Sequence, residues 1–117
     1  MDFTTVIQTR RSVRAYADRP IPQDVLGRVL EAARLAPSAR NRQPWRFIVV
    51  RDAATRSQLA AYSQAFVAKA PVVIVCCGKR YAQSYNWMGE NLYLIDLGVA
   101  IEHLVLAARN EDRKSVV

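Results

Sequence analysis

Residues 45–50 read Trp-Arg-Phe-Ile-Val-Val, and residues 71–77 read Pro-Val-Val-Ile-Val-Cys-Cys. Both runs are short, rich in β-branched residues and bounded by chain breakers, which is how strands read. Neither alternates cleanly between apolar and polar side chains. The expectation is therefore strands buried on both faces, with helices above and below the sheet. Two strong strands make a poor sheet by themselves, so the chain reads as unfinished.

Helical patterns surround these runs. Between them, Asp52 is placed as the N-cap of a helix reaching about residue 68, with Leu59, Tyr62 and Phe66 on its inner side. Upstream, Pro22 opens a helix carrying Val25, Leu26, Val29, Leu30, Ala33 and Leu35 near a 3.6-residue period, stopped by Ala36-Pro37-Ser38. Asp2 caps a short first helix with Phe3, Val6 and Ile7 on one side. After the second strand, residues 87–109 form a long helix through Leu92, Ile95, Val99, Leu104 and Leu106. It is apolar nearly all round, which points to a core or an interface. No repeat and no interdomain linker interrupts the 117 residues, which read as one domain.

Composition excludes several classes. Hydrophobic residues make up 51%, enough for a real core. No apolar run approaches the ~20 residues of a membrane helix, and the start lacks a secretory pattern, so neither membrane nor export is expected. Cys76 and Cys77 are neighbours on a strand and face opposite ways, so no disulfide is expected and a reducing cytoplasm fits best. One His and two Cys cannot build a structural zinc site within one chain. The net charge is +7, and residues 1–56 hold eleven arginines against five acids. Such a field attracts phosphate, whether of a nucleotide, a nucleic acid or a membrane surface.

Within that basic half, Arg10-Arg11-Ser12-Val13-Arg14 combines forked guanidinium donors with a hydroxyl, a set able to cradle phosphate. Alone, it reads more readily as a solvated charge cluster. The run Pro37-Ser38-Ala39-Arg40-Asn41-Arg42-Gln43-Pro44-Trp45 places Ser, Asn and Gln between prolines just before a strand. Asn and Gln offer donors and acceptors suited to the edge of a flat heterocycle, though such side chains also satisfy a loop's own backbone. Cys76 and Cys77 read as core residues, His103 as a packed and satisfied histidine, Tyr85 and Trp87 as packing at a helix start, and Asp96 and Gly98 as serving helix packing.

Taken in order, Arg10-Arg11-Ser12-Val13-Arg14, Ala36-Pro37-Ser38 with Asn41 and Gln43-Pro44-Trp45, Ala70-Pro71-Val72-Val73-Ile74-Val75, and Asp96-Leu97-Gly98-Val99-Ala100 resemble the FMN-dependent nitroreductase family. The resemblance runs from about residue 3 to residue 109. It implies an α+β fold, a sheet flanked by helices, in an intertwined homodimer with FMN at the subunit interfaces. It implies that Arg10, Arg11, Ser12 and Arg14 bind the FMN phosphate and ribityl chain. Pro37, Ser38, Asn41 and Gln43 would reach the flavin from the other subunit, and Trp45 would pack at the strand start. The long helix would be the central dimer helix. The implied chemistry is two-stage hydride transfer from NAD(P)H, through FMN, to a nitroaromatic, quinone or similar small acceptor, which explains why no acid–base dyad stands out.

The family continues beyond this helix, whereas here Glu111-Asp112-Arg113-Lys114 follows it. Residues 1–117 are thus expected to be an incomplete nitroreductase-like domain. That leaves two other readings: a non-catalytic remnant that binds flavin poorly, and a basic nucleic-acid-binding module. Against the latter, aromatic residues are only 9% and do not alternate with the basic ones. No nucleic acid and no membrane is expected as a partner.

Overall fold

Two aspartates start helices as their sequence positions imply. In the computed structural model, which describes residues 1–81 and 91–111, the Asp2 carboxylate accepts the Thr5 amide at 3.1 Å and opens α1 (Phe3–Thr9). Asp52 accepts the Thr55 amide at 2.8 Å and opens α3 (Ala53–Ala61). Between them run α2 (Gln23–Arg34), a 3₁₀ turn (Ala39–Asn41) and β1 (Trp45–Val50). After α3 come a second 3₁₀ turn (Ala65–Lys69), β2 (Val73–Gly78) and α4 (Leu92–Asn110).

β1 and β2 pair antiparallel, with Trp45 opposite Gly78, Phe47 opposite Cys76 and Val50 opposite Val73. This register puts Trp45, Phe47, Val49, Ile74, Cys76 and Gly78 on one face, and α4 lies against that face. Gly78 makes the close approach possible. A Cβ there would sit 2.8 Å from the Tyr93 ring and 3.2 Å from Leu97.

The core forms two clusters joined by Phe47. One is Val29 and Ala33 of α2 against Leu104 and Ala108 of α4. The other is Ala36 and Trp45 against Ala100. Ala33 and Ala100 are fully enclosed; small side chains at these points let α2 and the sheet close onto α4. Polar bonds tie the same helix to its neighbours. Arg28 of α2 grips Glu111 with Nε and Nη2 at 2.6 and 3.0 Å. Arg109 donates to the Thr9 hydroxyl at the end of α1 at 2.8 Å. The His103 Nδ1 lies 3.1 Å from the Ala32 carbonyl. A carbonyl can only accept, so this nitrogen carries the proton and His103 is a satisfied packing residue.

Three expectations are corrected. The third helix stops at Ala61 instead of running to about residue 68. Tyr62 is not on its inner side but 93% exposed, because the chain turns there into the second 3₁₀ segment. Arg56 stabilises this turn by donating Nη1 to the carbonyls of Ala68 and Ala70. Among the described residues no helix covers the second face of the strand pair. Ile48, on the face away from α4, is 54% exposed, since a continuous apolar run says nothing of which molecule covers it. Phe3, Ile7 and Leu35 are also exposed, leaving Val6 as the buried contact of α1. The long helix is described from Leu92, so its expected start at Trp87, and Tyr85, lie outside the described residues, as does 112–117. Among the described residues no helix is long and apolar enough to cross a membrane.

Candidate flavin site

The arginine run begins where α1 ends. Arg10 is the C-cap residue, its backbone extended, and residues 11–14 follow outside any helix. Arg10 Nε lies 3.9 Å from Glu102 Oε1 on α4, a long contact that leaves most of its donors available. Arg11, Ser12 and Arg14 are exposed. Among the described residues neither Arg11 nor Arg14 pairs with a carboxylate. Elsewhere arginines are engaged: Arg34 with Glu31 at 2.7 Å, Arg28 with Asp24 and Glu111, Arg51 with the Ile21 carbonyl at 3.1 Å. A run of uncompensated guanidiniums around a serine hydroxyl suits a phosphate, which takes several charge-assisted donors at once.

The polar loop is built differently. Its backbone is left-handed at Arg40, Asn41 and Gln43, with φ of 52°, 54° and 53°. For residues with a Cβ this costs roughly 1–3 kcal/mol each and persists only when surrounding bonds enforce it. Those bonds are present. The Ser38 carbonyl accepts the Asn41 amide at 2.9 Å, and the Ser38 hydroxyl oxygen accepts the Gln43 amide at 2.9 Å. Gln43 Nε2 donates to Asn41 Oδ1 at 3.0 Å. Pro37 precedes this knot and is exposed. Among the described residues the hydroxyl proton of Ser38, the Asn41 amide donors and the Gln43 side-chain oxygen are not used in these bonds. The loop can thus present both donors and acceptors, as a flavin's polar edge requires.

The anchor of this loop is Asp96 in α4, a residue only 6% exposed. Its Oδ1 accepts the Ala39 amide at 3.1 Å, and its Oδ2 accepts the Tyr81 hydroxyl. The Arg42 guanidinium lies 4.9 Å from the centre of the Tyr81 ring. Burial, with the Asp96 hydrogen bond second, pushes the Tyr81 hydroxyl up to about 12, so it stays a proton donor at neutral pH. Asp96, Tyr81 and Arg42 were not legible as parts of the site. The available signal was a single acid in an apolar stretch of α4, which reads more readily as packing.

Arg10 and the loop therefore attach to the same helix, at Glu102 and Asp96. Six residues of helix separate these by ~9 Å along the axis and ~120° around it. The two candidate segments thus reach α4 at separate points of the helix. Cys76 and Cys77 are unbonded, and burial pushes the Cys76 thiol up, away from a reactive thiolate.

An α+β chain with an antiparallel strand pair lying against one long apolar helix, a basic run after the first helix and a clamped polar loop before the first strand defines a nitroreductase-type fold. The chain belongs to the nitroreductase family, whose profile matches residues 7–72. It is 41% identical over 109 residues to an Archaeoglobus fulgidus protein provisionally described as an NADH dehydrogenase/NAD(P)H nitroreductase, covering 89% of this chain and 59% of that protein. A nitroreductase family protein from Clostridium novyi superposes with a TM-score of 0.86 at 31% identity, over 95% of this chain and 65% of that one. An FMN-dependent nitroreductase from Clostridium difficile superposes with a TM-score of 0.78 at 27% identity, over 93% and 61%. The chain thus spans about three fifths of the length of these relatives.

Proposed function

We propose that the protein is an FMN-dependent oxidoreductase that uses NAD(P)H to reduce a small acceptor such as a nitroaromatic or a quinone. The observation that carries this reading is the run Arg10, Arg11, Ser12 and Arg14, in which, among the described residues, Arg11 and Arg14 are exposed without a carboxylate partner and Arg10 makes only a long contact with Glu102. The description of the Clostridium difficile neighbour as FMN-dependent supports the cofactor, and that of the Archaeoglobus fulgidus relative supports the reductant.

In this reading the three guanidiniums neutralise the phosphate, and the Ser12 hydroxyl donates a further bond. Ser38 and Asn41 donate to the flavin's polar edge and stabilise negative charge there in the reduced state. Gln43 holds Asn41 in place through its amide, and Pro37 stiffens the entry to the loop. When bound, the flavin supplies hydride uptake from NAD(P)H and its delivery to the acceptor in two half-reactions. The unbonded cysteines suit a reducing, cytoplasmic setting.

The expected result on adding FMN to flavin-free protein is one flavin retained per chain through gel filtration. NADH or NADPH should then be consumed when a nitroaromatic or quinone is present. Protein that stays colourless at saturating FMN, or that retains nucleic acid instead, overturns the reading.

The functional unit proposed is a homodimer of a single nitroreductase-like domain. Leu94 and Ile95 of α4 are about half exposed, and so is Ile48 on the sheet face away from α4; exposed apolar side chains of this kind suit an interface. Attachment of the arginine run and the loop at separate points of α4 suits a site that draws one from each subunit. Sedimentation should give a dimer at micromolar concentration, and Leu94→Glu with Ile95→Glu should shift it to monomer with loss of flavin. A monodisperse wild-type monomer contradicts this assembly.

A further inference from the structure

We propose that Asp96 is a positioning residue for the flavin: it sets the 37–43 loop in its binding conformation before any ligand arrives. This rests on the flavin reading above and deepens it. Among the described residues Asp96 is the one buried charged side chain. A buried carboxylate is tolerated only when its oxygens are satisfied. Here one oxygen takes the amide of Ala39, the first residue of the 3₁₀ turn, and the other takes Tyr81, which follows β2 after a short connection. The carboxylate thus joins three separate parts of the chain: α4, the loop and the segment after β2.

The loop itself needs such an anchor. Three left-handed residues out of four are held mainly by bonds internal to the loop: Asn41 to Ser38, Arg42 to Ala39, Gln43 to Ser38 and Gln43 to Asn41. Those bonds fix its shape but not its place. The Ala39 amide on Asp96 fixes its place, at the turn from which the ligand-facing donors of Ser38 and Asn41 project. The Arg42 guanidinium over the Tyr81 ring adds a second tie that also leads back to Asp96. Preorganisation of this kind raises affinity by removing the ordering cost from the binding step.

The test uses the full chain with Asp96→Ala, Asp96→Asn and Ala39→Pro. Asp96→Asn keeps an oxygen for the Ala39 amide. Ala39→Pro removes only that amide; proline is tolerated at the first position of a helical turn, and Ser38 before it is already extended. In the flavin-free protein, amide exchange at Asn41, Arg42 and Gln43 should speed up at least tenfold in Asp96→Ala and Ala39→Pro. Exchange in the middle of α2 should be unchanged, and FMN affinity should fall by tenfold or more in the same two variants. Asp96→Asn should restore most of both. Loop exchange equal to wild type, or loss of protection spread evenly into α2, overturns the inference. So does wild-type FMN affinity in all three variants, a result that leaves the flavin reading standing. A wild-type chain that takes no FMN overturns the flavin reading, while the loop amides still report whether Asp96 holds the loop.

Discussion

Replacing Arg10 and Arg14 together by alanine is expected to weaken FMN binding by a factor of about 10²–10⁴. Each charge-assisted bond to a phosphate contributes on the order of 1.5–3 kcal/mol, and two such contacts would be lost. The phosphate origin of the effect can be isolated by using riboflavin, which carries the same ring system without the phosphate. The double variant should bind riboflavin as the wild type does, and its FMN affinity should fall toward that of riboflavin. Arg34→Ala is the matched control. It also removes a positive charge, but that arginine is engaged with Glu31 on the surface of α2. The long 3.9 Å contact of Arg10 with Glu102 is exposed, so its loss contributes little. Equal FMN dissociation constants for wild type and double variant would return the arginine run to an ordinary solvated face.

Trp45→Ala is expected to destabilise the fold by ~3–5 kcal/mol, the range for removing a buried large aromatic side chain. Trp45 is buried at the first position of β1, against Ala36 and Ala100. Ala36 and Ala100 carry only methyl groups, and the larger neighbours Phe47, Leu97 and Val99 are already packed on this cluster, so the space an indole leaves is filled only in part. Against a typical total of ~5–15 kcal/mol, such a loss removes a large share of the stability. The damage should also reach the loop, because Pro44, next to Trp45, accepts the Lys79 amide at 2.8 Å and closes this end of the strand pair. Equilibrium urea unfolding measures the effect, and Trp45→Phe should recover more than half of it. A midpoint shift worth less than 1 kcal/mol would remove Trp45 from the core.

Local chemistry was legible in the sequence, and tertiary placement was not. β1 falls on residues 45–50 and the caps on Asp2 and Asp52, because strand propensity and capping depend on neighbours within a few positions. The apolar stripe of α2 is buried as its period implies, at Val25, Leu26, Val29 and Ala33. Tyr62 shows the limit: its position fits an inner helix face, but the helix ends one residue earlier, and a pattern of apolar residues does not reveal where a turn intervenes. Ile48 shows another, since apolar character does not identify which surface will cover it. At the candidate site, residue types marked the arginine run and the loop as unusual. Nothing in a one-dimensional reading joins Ala39 to Asp96 across 57 positions, or gives Arg40 and Gln43, both non-glycine, a left-handed backbone. Such features arise only when distant segments constrain one another.

The bond from Arg109 to Thr9 bridges 100 residues. Its consequence is temporal. During synthesis at ~5–20 residues per second, α1 leaves the ribosome and waits ~5–20 s before the end of α4 exists to receive it. Over that interval Val6 has no helix to bury it, and Phe3 and Ile7 beside it are open as well. The Arg28 fork on Glu111 has the same delay. The strand pair, its partners fewer than 40 positions apart, can close much sooner. Contacts of such long sequence separation slow folding, so early in its life the chain has a strand pair bridged by α3, with α1 and α2 still lacking their partner helix. α4 packs on α1, α2 and both strands, so the nascent chain is most vulnerable to misassociation in the interval before its synthesis reaches residue 111.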